Sequence, residues 1–313
     1  MIRKASLLLV FSFVGYLLCY GPFAHLSNHA STPPDLSALA ILPISSLSCM
    51  LTMLVLTALF GWWPHLRITI QENGQTKTHP AVWSSLFSVP ILLGTPISYA
   101  LKNVSMLVMG ILMKAGSLAT APIADHWNKE KISKFSWASL ILCLSAILVS
   151  CFGNGVWTLS IPAIIIIVMY NGGYLGRLRQ MVGQKGSMDF FVAEHMLQPV
   201  AAFLVVCVAA LFSKDIRAGF ALWKHIDLWL IGIFSQGVGL FGGWMLLHKR
   251  ESSFSMPLNR IAAIMANVGA NLYVGNYIKP SSWVAVGLVC VAIVVLAIGS
   301  YDKAASNGQG EQI

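Results

Sequence analysis

The stretch SMLVMGILMKAGSLATAPIADHW, from Ser105 to Trp127, decides how the rest of this chain is interpreted. It is apolar enough to lie in a bilayer, yet Lys114 lies near its middle, nine residues past Ser105. At 1.5 Å per residue the lysine lies about 13 Å below the helix end, further than its roughly 6 Å stem reaches. An unpaired charge at that depth costs about 2.5–3.5 kcal/mol on insertion scales. Lys114 is therefore predicted to face a cavity or a partner.

A second stretch, Ser255 to Tyr273 (SMPLNRIAAIMANVGANLY), carries another cation, Arg260. One constant shift along the chain pairs Lys114 with Arg260 and Trp137 with Trp283. The same shift also pairs Ala124 with Ala270, Asp125 with Asn271, Ser136 with Ser282 and Ile147 with Ile293. These identities are few. They carry weight because the two cations fall in matching helices of two halves.

Composition places the chain among membrane proteins. Its 313 residues are 57% hydrophobic and 10% charged, and the mean hydropathy is +0.73. These values exclude an ordinary soluble domain and indicate a polytopic helical membrane protein. The net charge of +9 comes without a nucleic-acid motif, so nucleic acid is not expected as a partner.

Ten apolar segments are predicted as membrane helices, at about 5–27, 36–63, 81–101, 104–127, 134–153, 156–175, 187–212, 222–247, 253–276 and 281–301. The start, Met1 to Tyr20, looks like a signal peptide, but nine further segments follow and favour an uncleaved first helix. Cleavage near Ala30 is the alternative. The polar stretches Gln71–Thr78 and Gly176–Gly186 are predicted as loops.

The distribution of cations predicts the orientation. Of the 20 Lys and Arg residues, 13 fall on the side of the N-terminus, 5 on the far side, and Lys114 and Arg260 within the membrane. The positive-inside rule then places both termini in the cytoplasm, with Arg177 counted in a cytoplasmic loop. Short tails favour a bacterial inner membrane over a Golgi or endoplasmic reticulum membrane.

Five helices followed by five give halves of opposite orientation. The predicted fold class is an all-α membrane protein with ten transmembrane helices as two inverted five-helix repeats, residues 1–153 and 154–313. Inverted repeats are the frame of many secondary transporters, which bind substrate near the midplane between the halves. In this frame Lys114 and Arg260 converge on a central cavity.

The segment MKAGSLATAPIADHWNKEKISKFSWASLILCLSAILV, which begins at Met113, resembles the drug/metabolite transporter superfamily (EamA-like). The start of the ninth segment, Leu258-Asn259-Arg260, is similar to the motif of its nucleotide-sugar and triose-phosphate translocator branch. The resemblance implies the ten-helix plan and cations that bind substrate phosphate. Arg260 replaces the commoner lysine but remains a bidentate anion binder. No counterpart of the nucleotide-base recognition motif is present.

Lys114 and Arg260 are the predicted anion clamp, and the alternative is that protein carboxylates neutralise them. Asn259, Asn267 and Asn271 are candidate polar contacts to substrate, and each is equally consistent with hydrogen bonding between helices. Tyr16, Tyr170 and Asn171 are expected to line the cavity.

Glu194 and His195 form another costly pair, about one and a half turns into the seventh segment. One hypothesis pairs Glu194 with Arg260 in the empty carrier or gives it a coupling proton, and His195 titrates in the physiological range. The alternative is that the helix begins later and both residues are interfacial.

The expected function is a secondary transporter that moves a small organic anion, a phosphorylated metabolite or nucleotide sugar, by alternating-access exchange. The first alternative is a proton-coupled exporter of amino acids, drugs or a lipid-linked metabolite, and the second is a non-transporting membrane scaffold. An enzyme is not expected, because the sequence has no Walker loop, nucleophile elbow or HExxH motif. No metal or cofactor is expected, the bilayer and the substrate are the expected partners, and a homodimer is left open.

Overall fold

The structure is a computed structural model, and it describes residues 2–30, 37–72, 74–101, 109–110, 112–113, 121–127, 129, 131–154, 160–247, 252–273 and 280–309. Helices dominate this part of the chain. In chain order they are α1 (Ile2–Asn28), α2 (Leu42–Leu59), α3 (Pro80–Ala100), α4 (Ala121–Trp127), α5 (Lys134–Asn154), α6 (Ile161–Gln180), α7 (Met188–Ala209), α8 (Lys214–Gly219), α9 (Ile226–Leu246), α10 (Ser252–Tyr273) and α11 (Pro280–Gln309). Short 3₁₀ turns cover Ala38–Ile41, Trp63–His65 and Phe220–Leu222.

Six of the described helices are long and apolar enough to cross a membrane, within α1, α2 with its preceding 3₁₀ turn, α3, α6, α7 and α9. Shorter apolar stretches lie in α5 (Lys134–Val149) and α11 (Trp283–Ala292). In a bilayer a helix satisfies all of its backbone hydrogen bonds internally, so apolar helices of this length are stable there. The chain is therefore an all-α integral membrane protein. Nine of the ten predicted segments coincide with a described helix, whereas most of 104–127, including Lys114, lies outside the described residues.

Local capping signals explain where several helices begin. Pro80 opens α3, where a missing N–H costs nothing, and the His79 Nδ1 accepts the N–H of Ala81 at 3.1 Å. Ser187 starts α7 in the same way, because its hydroxyl accepts the N–H of Phe190 at 3.2 Å.

The prediction of a loop over Gln71–Thr78 is wrong. Two antiparallel strands, β1 (Thr69–Glu72) and β2 (Gln75–Thr78), form a hairpin there, with Ile70 opposite Lys77. The sequence between the strands is Asn-Gly, the strongest short signal for a two-residue hairpin turn, and Gly74 adopts a φ of +75°. The polar composition of the stretch concealed this signal.

The prediction of a loop over Gly176–Gly186 is wrong in its first part, because α6 continues to Gln180. In the last turn of α6, Arg177 and Leu178 are buried, whereas Arg179 is exposed. Arg177 was counted among loop cations because two arginines and a glutamine follow an apolar run. The fold instead carries it along the helix into the protein interior.

The helices pack in a defined set of neighbours. The α1 helix packs against α9 and α10, α3 against α6 and α7, α2 against α7 and α9, and α5 against α11. Close approach depends on glycine at some crossings: a Cβ built on Gly173 of α6 would lie 2.5 Å from the carbonyl oxygen of Phe87 on α3. This arrangement leaves a central space bounded by α1, α3, α6, α7, α9 and α10.

Candidate functional site

A cavity of about 70 Å³ occupies the centre of the helical bundle. Six helices contribute to its wall, and the polar side chains on it are Thr95, Gln198, Ser235, Asn259, Arg177 and Arg260, together with Tyr16, Tyr20, Tyr170 and Tyr174. Since a single water needs roughly 10–15 Å³ by the same kind of measure, the space suits several waters or one small ligand group.

Arg260 is the unusual member of this wall. Its side chain on α10 is buried, with 1% of the residue exposed. The Nη1 donates to the Tyr170 hydroxyl at 3.4 Å, and the guanidinium lies 4.3 Å from the centre of the Tyr174 ring. The Nε and Nη2 atoms have no hydrogen-bond partner, and among the described residues no carboxylate forms an ion pair with Arg260. The site therefore presents two free donors of a buried cation.

Aromatic rings surround this cation. Tyr16 stacks on Tyr20 with ring centres 5.3 Å apart, and the hydroxyls of Tyr20 and Tyr99 share a hydrogen bond. A ring face stabilises a desolvated cation by about 2 kcal/mol, well below the several kcal/mol that burial of an ion costs. The tyrosines thus orient Arg260 and offset part of the free-energy cost of burying its charge. They do not replace an anionic partner.

A second arginine on the cavity wall has such a partner. The Arg177 Nε and Nη2 donate to the two carboxylate oxygens of Glu194 at 2.7 and 2.8 Å. The Arg177 side chain is 8% exposed and the Glu194 side chain 0%. The hydroxyl of Ser84 also donates to Glu194. A bidentate pair with an added donor is the geometry in which a buried ion pair is best satisfied.

His195 lies beside this pair, with its Nδ1 3.8 Å from the Glu194 Oε2. Both ring nitrogens contact backbone carbonyl oxygens: Nδ1 lies 2.8 Å from that of Phe191, and Nε2 2.9 Å from that of Gly239. A neutral imidazole has one N–H, so only the doubly protonated ring donates to both carbonyls. The ring therefore ties α7 to α9 next to the ion pair.

These positions correct two expectations about Glu194. The structure pairs it with Arg177 rather than Arg260: α3 packs against both α6 and α7, and its Ser84 donates a further hydrogen bond to Glu194. The interfacial alternative is wrong as well, because α7 begins at Met188 and both Glu194 and His195 are fully buried.

The sequence prediction misses Arg177 because a second arginine and a glutamine follow it within three residues and suggest a loop. A partial signal exists: the connection between α6 and α7 is short, so residues within about two turns of either helix end lie near the same side of the membrane. Arg177 precedes the end of α6 by three residues, and Glu194 lies six residues into α7. Tyr174 and Gln198, which also line the cavity, had no comparable signal.

The remaining predicted residues divide into three groups. Tyr16, Tyr170, Asn259 and Arg260 line one cavity, as expected. Asn171 is not part of that lining, and its Nδ2 donates to the Ile167 carbonyl at 2.9 Å within α6. Lys114 and the side chains of Asn267 and Asn271 lie outside the described residues.

Comparisons with known proteins bear on the fold. No protein-family model matches the chain, and no curated protein matches it. Twenty-seven solved chains do match its structure. One of them, described only as the crystal structure of a protein, superposes with a TM-score of 0.61 at 11% identity, over 95% of this chain and 97% of that chain. At this identity the likeness shows a shared fold, and it extends over nearly the full length of both chains.

Proposed function

We propose that this protein is a secondary transporter of a small organic anion, with phosphorylated metabolites and nucleotide sugars as the favoured substrates. One observation carries the proposal: Arg260 is buried on the wall of a central cavity, and its Nε and Nη2 have no hydrogen-bond partner in the part of the chain that the structure describes. A buried cation without a partner is costly, and a bound anion removes that cost. The guanidinium fork is suited to bidentate recognition of phosphate or carboxylate oxygens.

Helix packing supports the proposal of two inverted five-helix repeats, residues 1–153 and 154–313. When the predicted segments are counted from one to ten, α1 is the first, α6 the sixth and α9 the eighth. In an inverted five-helix repeat, each segment has a counterpart five places along the chain, and counterparts should make equivalent contacts. The α1–α9 contact has its equivalent in the α6–α3 contact, and the α3–α7 contact has its equivalent in the α9–α2 contact. The α5–α11 and α2–α7 contacts each join a segment to its own counterpart. Such invariance is expected of a pseudo-twofold axis through the cavity.

The proposed mechanism is alternating access around Arg260. In the empty form, the closed cavity holds a cation with two unsatisfied donors, so the transition between inward and outward states is slow. A bound anion satisfies those donors and lets the halves rock. Exchange of one anion for another is then faster than net movement of one anion.

The resemblance of Leu258-Asn259-Arg260 to the phosphate-binding branch of the drug/metabolite transporters agrees with this assignment. Asn259 and Arg260 both line the cavity, as that motif implies. We assign Lys114 as the second cation of the site, on the resemblance and the internal repeat alone. The proposed setting is a bacterial inner membrane with both termini in the cytoplasm.

A second candidate function is proton-coupled export of amino acids, drugs or a lipid-linked metabolite, which the buried Glu194 and His195 favour. A non-transporting scaffold is the third. It predicts a packed centre, and the cavity beside Arg260 argues for a carrier instead.

The test is a thermal-stabilisation screen of the purified protein over nucleotide sugars, sugar phosphates and amino acids, followed by transport in proteoliposomes. Phosphorylated ligands should raise the melting temperature of the wild type, and Arg260→Gln should lose that response at least tenfold in affinity. Arg179→Gln is the matched control, because Arg179 is exposed and its guanidinium lies over Trp127. Equal stabilisation of wild type and Arg260→Gln would remove Arg260 from the site.

A further inference from the structure

Arg177 lines the cavity and forms an ion pair with Glu194, which gives the proposed site a way to change its own charge. We propose that a dianion enters this cavity together with one proton: the proton binds Glu194, and Arg177 then serves as an additional anion-binding cation beside Arg260. This inference rests on the proposed function and concerns the coupling ion of the same site.

The first step is that Arg177 is already part of the cavity. It lines the same space as Arg260 and Tyr174. Two of its nitrogens, Nε and Nη2, are held by the carboxylate of Glu194, and Nη1 lies outside that pair. Arg177 is therefore within the site, but its charge is neutralised while Glu194 is ionised.

The second step is a count of charge. With Glu194 ionised, Arg260 is the uncompensated cation among the described residues of the cavity wall, and these residues match a monoanion. With Glu194 protonated, Arg177 and Arg260 are both uncompensated, and the same residues match a dianion. Lys114, the further cation proposed for the site, would add the same charge whether or not Glu194 is protonated, so protonation of Glu194 still raises the charge of the site by one. A dianion and the Glu194 carboxylate compete for Arg177. Binding of the dianion and protonation of Glu194 therefore favour each other, by the same factor in both directions.

The third step concerns the groups that face Glu194. They are Arg177 and Tyr174 from α6, Ser84 from α3 and His195 from α7. Arg260 of α10 contacts the ring of Tyr174. The α2 helix contains no acidic or basic residue, and the acidic residue of α9, Asp227, lies twelve residues from Gly239, whose carbonyl contacts His195.

His195 is a poor candidate for the moving proton. Each ring nitrogen of His195 lies against a backbone carbonyl oxygen, that of Phe191 or that of Gly239, so neither nitrogen is free to exchange a proton with a ligand. Glu194 has no such restriction. When it gains a proton from solution, the hydroxyl of Ser84 can accept the new O–H, because a serine hydroxyl both donates and accepts. The hydrogen bonds that Arg177 gave to Glu194 then pass to the anion.

The test compares sulfate with methyl sulfate, a dianion and a monoanion of similar chemistry that carry no titrating proton near neutral pH. Each is added to the detergent-solubilised protein in weak buffer, and proton uptake is followed with a pH indicator dye. Sulfate should draw about one proton per molecule bound, and methyl sulfate none. The affinity for sulfate should fall about tenfold per pH unit on the alkaline side, whereas that for methyl sulfate stays flat.

Variants locate the proton. Glu194→Gln should bind sulfate without proton uptake and without pH dependence. Asp189→Asn is the matched control: it removes a carboxylate from the same helix that pairs with His65 and Arg67 outside the cavity, and it should behave as the wild type. Proton uptake that persists in Glu194→Gln would overturn the assignment to Glu194.

The outcomes separate the two proposals. Binding of both anions with no proton uptake would overturn the coupling and leave the anion carrier intact. Binding of neither anion, or binding unchanged in Arg260→Gln, would overturn the carrier and the coupling with it. Should Glu194→Gln fail to fold, the contrast between the two anions in the wild type still decides the question.

Discussion

Two buried arginines line one cavity, and they differ in the partners that the structure gives them. Arg177 gives two hydrogen bonds to a buried carboxylate, whereas Arg260 has a tyrosine ring, one long hydrogen bond and two free donors. Desolvation costs each guanidinium several kcal/mol, and under the proposed function a bound anion would offset this cost at Arg260. The difference lies in the partners, since both residues are of one type and both are buried.

The Arg177–Glu194 pair makes a prediction about stability. Glu194→Leu or Arg177→Met alone leaves a buried charge without its partner, and each should cost about 3–5 kcal/mol. The double variant removes both charges and should recover most of that loss, since an apolar pair of similar volume often replaces a buried ion pair without penalty. Unfolding in detergent of the four proteins of this cycle measures the coupling. Additive losses in the double variant would contradict a strong pair.

His79 makes a prediction about pH. Burial lowers the pKa of this histidine below its ordinary value of 6.5, although the nearby Asp189 opposes the shift. The unfolded chain then binds a proton that the folded chain does not. The contribution of His79 to stability is complete above about pH 6.5 and is lost as the pH falls below it. Protonation of Nδ1 also removes the acceptor for the Ala81 N–H.

The check is thermal unfolding in detergent between about pH 8 and pH 5.5. His79→Asn keeps a capping side chain that does not titrate, so it should lose less stability on acidification than the wild type. His126→Asn changes an exposed ring and serves as the control. An identical acid loss in wild type and His79→Asn would exclude this role for His79.

At the scale of elements, the close packing of α3 against α6 depends on one residue of the Gly172–Gly173 pair. Gly172 and Gly173 are adjacent in α6, but a Cβ on Gly172 meets nothing within 4 Å, whereas one on Gly173 meets the Phe87 carbonyl oxygen at 2.5 Å. Small residues let membrane helices approach closely and gain packing and polar contacts. The same helix carries Tyr170, Tyr174 and Arg177, so this crossing also sets the distance across the cavity.

We predict that Gly173→Ala separates α3 from α6, lowers the melting temperature and weakens ligand binding. Gly172→Ala is its neighbour and control. Alanine favours a helix over glycine by about 1 kcal/mol, so this variant should be neutral or more stable. Thermal unfolding of both variants in one detergent gives the comparison, and a Gly173→Ala protein as stable as Gly172→Ala would contradict the close crossing.

At the scale of the whole molecule, the proposed carrier mechanism requires that substrate contacts both halves of the chain. The cavity draws its wall from α1 and α3 of the first half and from α6, α7, α9 and α10 of the second. A ligand that bridges these helices contacts both halves at once. Its binding energy is then available to the step in which one half rocks against the other.

This arrangement predicts that exchange is faster than net transport. In proteoliposomes loaded with a radiolabelled substrate from the stabilisation screen, unlabelled substrate outside should speed efflux several-fold, because the empty carrier returns slowly. Arg260→Gln should abolish the exchange. An efflux rate that is the same with and without external substrate would contradict the slow return of the empty form.

The sequence by itself determined that this is a helical membrane protein, since apolar runs of membrane length have no other stable arrangement in a bilayer. It also singled out Arg260 and Glu194, because a charge inside such a run is too costly to be incidental. Only the tertiary structure decided the partners. The sequence predicts Arg177 in a loop, yet its helix and that of Glu194 both pack against α3, and the Arg177 nitrogens lie 2.7 and 2.8 Å from the Glu194 carboxylate oxygens. Burial cost is a property of one residue and its neighbours along the chain, whereas pairing depends on which helices pack side by side.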